Sequence, residues 1–250
     1  MCRHLAYLGP PRTLAQLLLE PPHSLLHQSY APTDMRSDGT VNADGFGVGW
    51  YLPGVAEPVR YRQSRPLWTD DGFLGLAPTV RSGAVLAAVR SASVGTPVIE
   101  TACAPFTSGP WLFSHNGRLP GWPTSVIKLA EAELEVVDLL TMEAPIDSVL
   151  LWAMVRRRLA GGASLADAVA EVVRAAVASV PEARLNLLVT DGQTIVASTW
   201  WHSLSVRIAD GAVTVASEPT DDAPDWTAVP DRRLVVVTPS TMDITPLEPW

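Results

Sequence analysis

Cysteine is scarce in this chain, and its scarcity limits the compartments in which the protein is expected to work. The 250 residues contain only Cys2 and Cys103, and the two do not form a CxxC pair. A disulfide framework or a cysteine-based metal site is therefore not indicated. Two unpaired thiols are typical of a reducing compartment, so we expect a cytoplasmic protein.

Positive charge and long apolar runs are also lacking. Eighteen basic residues stand against 26 acidic ones, which gives a formal net charge of -8. Such a chain has no basic footprint for nucleic acid or for an anionic membrane, so we expect a small-molecule partner. No apolar run approaches the length of a membrane span, and the first residues lack the apolar stretch of a signal peptide.

The sequence also offers little for a metal or a cofactor. Among the five histidines only His23 and His27 have the spacing of helical metal ligands, and no cysteine or carboxylate clearly joins them. The three alternating glycines between Asp44 and Trp50 do not have the GxGxxG spacing of a nucleotide-binding loop. We therefore predict neither a metal nor a cofactor.

The order of apolar patterns predicts an α+β fold with largely antiparallel sheets. Strand-like runs come first, three helical segments follow, and strands then return, with Asp191-Gly192 and Asp210-Gly211 as turns. Strands are predicted at residues 3–8, 46–52, 84–90, 111–114, 185–189, 194–198, 205–208, 213–216 and 234–237, and helices at 125–142, 146–160 and 164–178. No repeat or linker interrupts the pattern, and residues 220–232 read as a surface loop, so a single domain over residues 2–250 is expected.

Cys2 is the residue with the most chemical information. Removal of Met1, which a small second residue favours, would place a thiol and a free α-amine on one residue. An α-amine has a pKa of about 8 and a thiol about 8.5, so the amine can accept the thiol proton near neutrality. Cys2 is therefore a candidate nucleophile that carries its own general base, although a buried thiol in a first strand would also fit the position.

Three further positions allow both a structural and a catalytic interpretation. Asn116-Gly117 follows an apolar strand and could form a hairpin turn, or its amide and backbone N–H could stabilise an oxyanion. Arg90 closes an apolar strand, either as a rim residue or as a fork for a substrate carboxylate. Asp147 follows Pro145, either as a helix N-cap or as the partner of a substrate ammonium.

Taken in order, Cys2, residues 43–47, Arg90, residues 114–117 and Asp147-Ser148 resemble the glutaminase domain of class II glutamine amidotransferases, which are N-terminal nucleophile hydrolases. The resemblance covers nearly the whole chain. It implies a four-layer αββα sandwich, in which two antiparallel sheets lie between helical layers. It also implies Cys2 as the nucleophile and its α-amine as the base.

The same resemblance assigns the remaining roles. Asn116 and Gly117 would form the oxyanion hole, and Arg90 and Asp147 would hold the α-carboxylate and the α-ammonium of the substrate. Ser93 and His115 complete the expected substrate-binding set. Departures from the family pattern are Ala88, where members often have histidine, Ser93, where they often have threonine, and residues 102–106, where a frequent Asn-x-His-Pro-Phe segment is absent.

Finer matches at residues 1–5, 22–26, 89–95 and 217–219 resemble the amidases of ergothioneine biosynthesis that hydrolyse γ-glutamyl hercynylcysteine sulfoxide. The expected reaction is therefore hydrolysis of a γ-glutamyl amide through an acyl-enzyme on Cys2. The trimethylammonium of that substrate would suit an aromatic face, and Trp111 is a nearby candidate in the sequence. Two alternatives stay open: a free-standing glutaminase that supplies ammonia to a separate synthase, and a non-catalytic binding module of the same fold.

Overall fold

The computed structural model describes residues 2–36 and 41–248. Met1, whose removal the sequence predicts, lies outside the described residues, as do the last two residues of the predicted 2–250 domain. Strands and helices follow the predicted order, and the helices of the described part include none that is long and apolar enough to cross a membrane.

Seven strands of the described part form one antiparallel sheet, in the order β11-β9-β10-β1-β4-β2-β3. Their bounds are β1 (Arg3–Thr13), β2 (Phe46–Trp50), β3 (Val59–Gln63), β4 (Arg81–Val89), β9 (Ser205–Ala209), β10 (Ala212–Ala216) and β11 (Thr227–Ala228). The strand that follows Cys2 is therefore central, with β4 and β10 as its two neighbours.

Six strands form a second antiparallel sheet, in the order β13-β12-β8-β7-β6-β5. Their bounds are β5 (Phe106–Ser108), β6 (Trp111–Arg118), β7 (Arg184–Thr190), β8 (Ile195–Thr199), β12 (Arg233–Thr238) and β13 (Thr241–Pro246). The helices are α1 (Leu14–Leu18), α2 (Leu25–Tyr30), α3 (Asp71–Leu76), α4 (Ile127–Glu133), α5 (Val136–Leu140), α6 (Asp147–Ala160) and α7 (Leu165–Ser179).

Three apolar clusters show how these elements are layered. Leu86 of β4 and Leu188 of β7 belong to a cluster between the two sheets. Residues of α1, α2 and α3 pack on the outer face of the first sheet, and residues of α4, α6 and α7 pack on the outer face of the second. Because each sheet buries both of its faces, the result is a helix–sheet–sheet–helix sandwich, and the predicted four-layer fold is confirmed.

The glycines of β2 allow the two sheets to approach closely. A Cβ on Gly47 would meet the backbone carbonyl of Ala104, and one on Gly49 would lie 2.6 Å from a methyl group of Leu112. Larger side chains at these positions would force the layers apart. The two glycines of β2 thus face Leu112 of the second sheet and the segment that leads into β5.

Several predicted bounds need correction. The helix predicted at 125–142 is two helices, α4 and α5, because Leu134 between them has an extended backbone. The strand predicted at 111–114 continues to Arg118 as β6. Ser164 caps α7 as predicted, since its side chain accepts a hydrogen bond from the backbone N–H of Asp167.

Candidate active site

Cys2 lies immediately before the central strand β1, with its thiol partly exposed. The Sγ atom is 3.8 Å from the carbonyl oxygen of Ser91. The carbonyl of Cys2 accepts a hydrogen bond of 3.1 Å from the guanidinium of Arg3, which forms a buried ion pair of 2.8 Å with Glu218. Glu218 in turn accepts hydrogen bonds from the backbone N–H and the hydroxyl of Thr33. Through Arg3, the backbone of the candidate nucleophile is therefore anchored to two other segments of the chain, around Thr33 and Glu218.

A cleft of about 460 Å³ opens at Cys2. Of the predicted site residues, Cys2, Ser93, Gly117 and Asp147 line this cleft together. Arg90 and His115 instead line a neighbouring cavity of about 20 Å³, which Cys2 also borders. The thiol therefore stands between the two spaces.

Asn116 carries a buried amide without a partner. The residue is 1% exposed, and neither its Nδ2 nor its Oδ1 atom has a hydrogen-bond partner within the described part of the chain. A buried amide left unpaired costs about 1–3 kcal/mol, and such groups are rare in native proteins. The amide is therefore a candidate oxyanion donor, although Asn116 itself borders neither the cleft nor the smaller cavity.

The strand geometry explains why glycine follows Asn116. In the antiparallel ladder of β6 and β7, Asn116 pairs with Asn186 and Gly117 with Leu185. A Cβ on Gly117 would collide with the carbonyl oxygen of Arg184 and with the ring of His115. The ladder continues through Arg118, so the interpretation of Asn116-Gly117 as a hairpin turn is wrong.

His115 is fixed by hydrogen bonds at both ring nitrogens. Its Nε2 is 2.8 Å from the carbonyl oxygen of Arg184, and its Nδ1 is 3.0 Å from the hydroxyl of Ser148. Because a carbonyl only accepts, the proton lies on Nε2, and Nδ1 accepts from Ser148. Burial lowers the pKa of His115 below its ordinary value, although the charge of Asp147 opposes this effect. The ring is therefore a neutral support beneath Gly117.

Arg90 is 8% exposed, and its guanidinium contacts the loop that follows it. It donates to the carbonyl of Pro97 at 2.9 Å and to the hydroxyl of Thr96 at 3.3 Å. Asp44 fixes the start of this loop, since its carboxylate accepts from the backbone N–H of Ala92 at 2.8 Å. The rim of the cleft around Ser93 is thereby tied to the guanidinium beneath it.

Asp147 is the first residue of α6, and its carboxylate lines the cleft. The N-cap position is occupied by Ile146, so the N-cap interpretation of Asp147 is wrong. One carboxylate oxygen accepts from the backbone N–H of Leu119 at 2.9 Å, and the other accepts from that of Ser148 at 2.8 Å. Both carboxylate oxygens are therefore held in place at the start of α6.

His202 is a cleft residue that the sequence analysis missed. It is 3% exposed, and its Nδ1 atom is buried with no hydrogen-bond partner among the described residues. Burial, followed by the charge of Arg184, lowers the pKa of His202 to about 3, so the ring is neutral near pH 7. Asn186 places this residue, because its side-chain oxygen accepts from the backbone N–H of His202 at 3.1 Å. A single histidine far along the chain from the other motifs carries no sequence signal that would identify it.

The tryptophans are distributed differently from the expectation. Trp122 lines the cleft, whereas Trp111 begins β6 at the end opposite to Gly117 and packs near the outer helical core. Trp201 lies near the cleft, but the guanidinium of Arg184 is only 4.8 Å from its ring centroid. Within the described residues, no group of three His, Cys, Asp or Glu side chains could hold a metal ion.

The sequence and the fold have relatives among known proteins. The chain is 44% identical over 248 residues to the gamma-glutamyl-hercynylcysteine sulfoxide hydrolase of Mycolicibacterium smegmatis, covering 99% of this chain and 100% of that protein. It is 41% identical over 254 residues to the protein of the same name from Mycobacterium tuberculosis, covering 99% and 97% of the two chains. A solved class II glutamine aminotransferase domain protein from Silicibacter pomeroyi superimposes with a TM-score of 0.67 at 25% identity, covering 99% and 100%. No protein-family model matches the chain.

The fold and the cleft at Cys2 thus define a class II glutamine amidotransferase-type N-terminal nucleophile hydrolase, as the motifs predicted. Within that class, the chain belongs to the family of the gamma-glutamyl-hercynylcysteine sulfoxide hydrolases.

Proposed function

We propose that this protein hydrolyses the γ-glutamyl amide bond of γ-glutamyl hercynylcysteine sulfoxide and releases glutamate and hercynylcysteine sulfoxide. The observation that carries the proposal is the common cleft of Cys2, Gly117 and Asp147, in a chain whose relatives are named for this reaction. The two free thiols agree with a location in the reducing cytoplasm.

The proposed reaction begins with attack of the Cys2 thiolate on the γ-carbonyl carbon. The α-amine of Cys2, once Met1 is removed, accepts the thiol proton and later passes it to the departing amine as the carbon–nitrogen bond breaks. Water then attacks the thioester, with the same amine as the base. The carbon–sulfur bond breaks, glutamate leaves and the thiol is restored.

The oxyanion of each tetrahedral intermediate is assigned to Asn116 and Gly117. The unpaired amide of Asn116 is a preorganised donor, and the adjacent Gly117 lines the cleft together with Cys2. His115 supports this segment, because its ring bridges Ser148 and the carbonyl of Arg184.

The glutamyl head group carries one charge of each sign, and the site offers the opposite pair. Asp147 is assigned to the α-ammonium, and its place in the cleft with Cys2 supports this role. Arg90 and the hydroxyl of Ser93 are assigned to the α-carboxylate. For that contact, the carboxylate would replace the Pro97 carbonyl and the Thr96 hydroxyl as acceptors of the guanidinium.

The test is a comparison of kcat/KM for γ-glutamyl hercynylcysteine sulfoxide and for L-glutamine, with protein that begins at Cys2. We expect the sulfoxide to be the better substrate by a wide margin. Turnover of glutamine alone would replace the proposal with a glutaminase that supplies ammonia. Binding without turnover of either compound would indicate a non-catalytic module.

A further inference from the structure

A second cavity adjoins the cleft at Cys2 on the side of Arg118. This outer cavity has a volume of about 430 Å³ and shares Arg118, Pro120 and Arg184 with the cleft. Trp200, Trp201 and Arg232 also line it, as do the acidic residues Glu182 and Asp231. Arg118 and Arg184 therefore border both spaces.

Two positive charges face each other where the two spaces join. Arg118, the last residue of β6, pairs directly with Arg184, the first residue of β7. Like charges at directly opposite positions of an antiparallel pair destabilise a sheet. Arg118 is exposed and forms no ion pair with any residue in the described ranges. A protein with a net charge of -8 thus places two arginines at one register position beside its candidate oxyanion hole.

The position of Arg184 is further defined by its neighbours. Its guanidinium lies 4.8 Å from the ring centroid of Trp201, and its carbonyl accepts from His115. The indole N–H of Trp201 donates to the carbonyl of Arg36 at 3.2 Å, and its backbone N–H donates to Asp231 at 2.7 Å, so the ring that contacts Arg184 is held in place. This face of Trp201 already holds a cation, so it suits an anion bound to Arg184 better than a second cation.

We propose that Arg118 and Arg184 form a subsite for the α-carboxylate of the amino acid that leaves as the amine. The inference rests on the proposed cleavage of a γ-glutamyl amide and specifies its leaving group. In such a substrate the reacting carbonyl carbon, the amide nitrogen, the next α-carbon and its carboxylate follow one another. A carboxylate on the leaving side is therefore only a few bonds from the oxyanion. In the protein, Arg118 is likewise only one residue from Gly117 of the proposed oxyanion hole.

The subsite distinguishes γ-glutamyl amino acids from glutamine. Glutamine releases ammonia and presents no second carboxylate, so the arginines would contribute nothing to its turnover beyond general charge. A γ-glutamyl amino acid would form charge-assisted hydrogen bonds there, and loss of one such contact typically lowers kcat/KM about 10- to 100-fold.

The test uses two probes that differ only in the carboxylate, namely γ-glutamylcysteine and γ-glutamylcysteamine. Arg118→Gln and Arg184→Gln are each expected to lower kcat/KM for γ-glutamylcysteine about 10-fold or more and to change it less than about twofold for γ-glutamylcysteamine. The matched control is Arg12→Gln, which removes an exposed arginine from the far end of β1. This control should leave the ratio of the two rates unchanged.

Equal losses for the two probes in Arg118→Gln and Arg184→Gln would overturn the subsite and assign both arginines to structure. A parent protein that shows no preference between the probes would overturn it as well. If the protein cleaved both probes but not the hercynylcysteine sulfoxide compound, the proposed function would be wrong. The ratio between the two probes would still test the subsite. A parent protein that cleaves the hercynylcysteine sulfoxide compound but neither probe would overturn the subsite and leave the proposed function standing.

Discussion

At the scale of single residues, the site combines side chains that are held firmly with one that is left unpaired. The ring of His115 and the carboxylate of Asp147 each have two partners, whereas the buried amide of Asn116 has none among the described residues. Asn186, directly opposite on β7, makes four hydrogen bonds to residues 200, 202 and 203. Asn116 and Asn186 thus pair across the two strands, but among the described residues only the side chain of Asn186 has hydrogen-bond partners.

This contrast predicts opposite effects of two alanine substitutions. Asn116→Ala should lower kcat about 100- to 1000-fold, which corresponds to about 2.7–4 kcal/mol, because it removes an oxyanion donor. It should not lower the free energy of unfolding, since no hydrogen bond is lost. Asn186→Ala should destabilise the protein by about 2 kcal/mol or more, because it leaves several buried backbone groups without partners.

Steady-state kinetics and chemical denaturation of both variants measure these effects. A folded Asn116→Ala protein with a near-normal rate would remove this residue from the proposed oxyanion hole.

The free α-amine gives a second prediction at this scale. Protein that begins at Cys2 should be active, and protein with an N-terminal extension that cannot be removed should lose essentially all turnover, because its amide nitrogen cannot accept a proton. Mass spectrometry verifies the terminus of each preparation, and Cys2→Ala serves as the inactive reference. Equal rates with and without the extension would exclude the self-base mechanism.

The candidate site residues differ in how visible they are in the sequence. Cys2 and Asn116-Gly117 could be selected as candidates, because their position and spacing have a chemical meaning without the fold. His202 could not, since only the network of Asn186 brings it to the cleft. The structure was also needed to decide between a hairpin turn and a continuing strand at Asn116-Gly117, because the same residues are compatible with both.

At the scale of elements, the sequence patterns were sufficient to locate the strands that pack between layers. The strands that alternate with clear turns were located to within a few residues, and Asp210-Gly211 forms the predicted two-residue connection, with both residues at positive φ. The edge strands β3, β5, β11 and β13 and the short helices α1–α3 were missed, because their apolar periodicity extends over too few residues. Of these, β11 lies within residues 220–232, which were interpreted as a surface loop.

The glycines of β2 give a prediction for this scale. Gly47→Ala should destabilise the fold by about 1–3 kcal/mol, because the new methyl group meets the backbone of Ala104, which cannot rotate away. Gly75→Ala is the matched control, since that glycine lies in α3 with no atom within 4 Å of the added Cβ. This control should stabilise the protein by about 0.5–1 kcal/mol through its helix propensity.

Urea denaturation of the two variants provides the measurement. If both substitutions shifted the unfolding midpoint in the same direction by similar amounts, close packing at β2 would not explain the glycine.

At the scale of the whole molecule, the buried histidines connect the site to the stability of the fold. Burial lowers the pKa of His4 and that of His202 to about 3 each, compared with about 6.5 in an unfolded chain. The unfolded state therefore binds more protons than the folded state between these values. The resulting stabilisation is complete above pH 6.5 and is lost as the pH falls towards 3.

We therefore expect the free energy of unfolding to decrease as the pH is lowered from 6.5 to 5, a range in which most carboxylates stay ionised. Urea denaturation at several pH values measures this slope. His4→Gln should reduce the slope, because it removes one of the protons taken up on unfolding. A free energy of unfolding that is constant over this range would contradict the burial of neutral imidazoles.

The position of β1 in the first sheet has a consequence for synthesis. Leu5 pairs with Ala216 on one side and with Ala87 on the other. The strand that follows the candidate nucleophile therefore takes one of its two neighbours from a segment about 210 residues later in the chain. During synthesis, β1 cannot complete its pairing until β10 has been made. The surroundings proposed to make Cys2 reactive are consequently assembled late, long after the residue itself has been made.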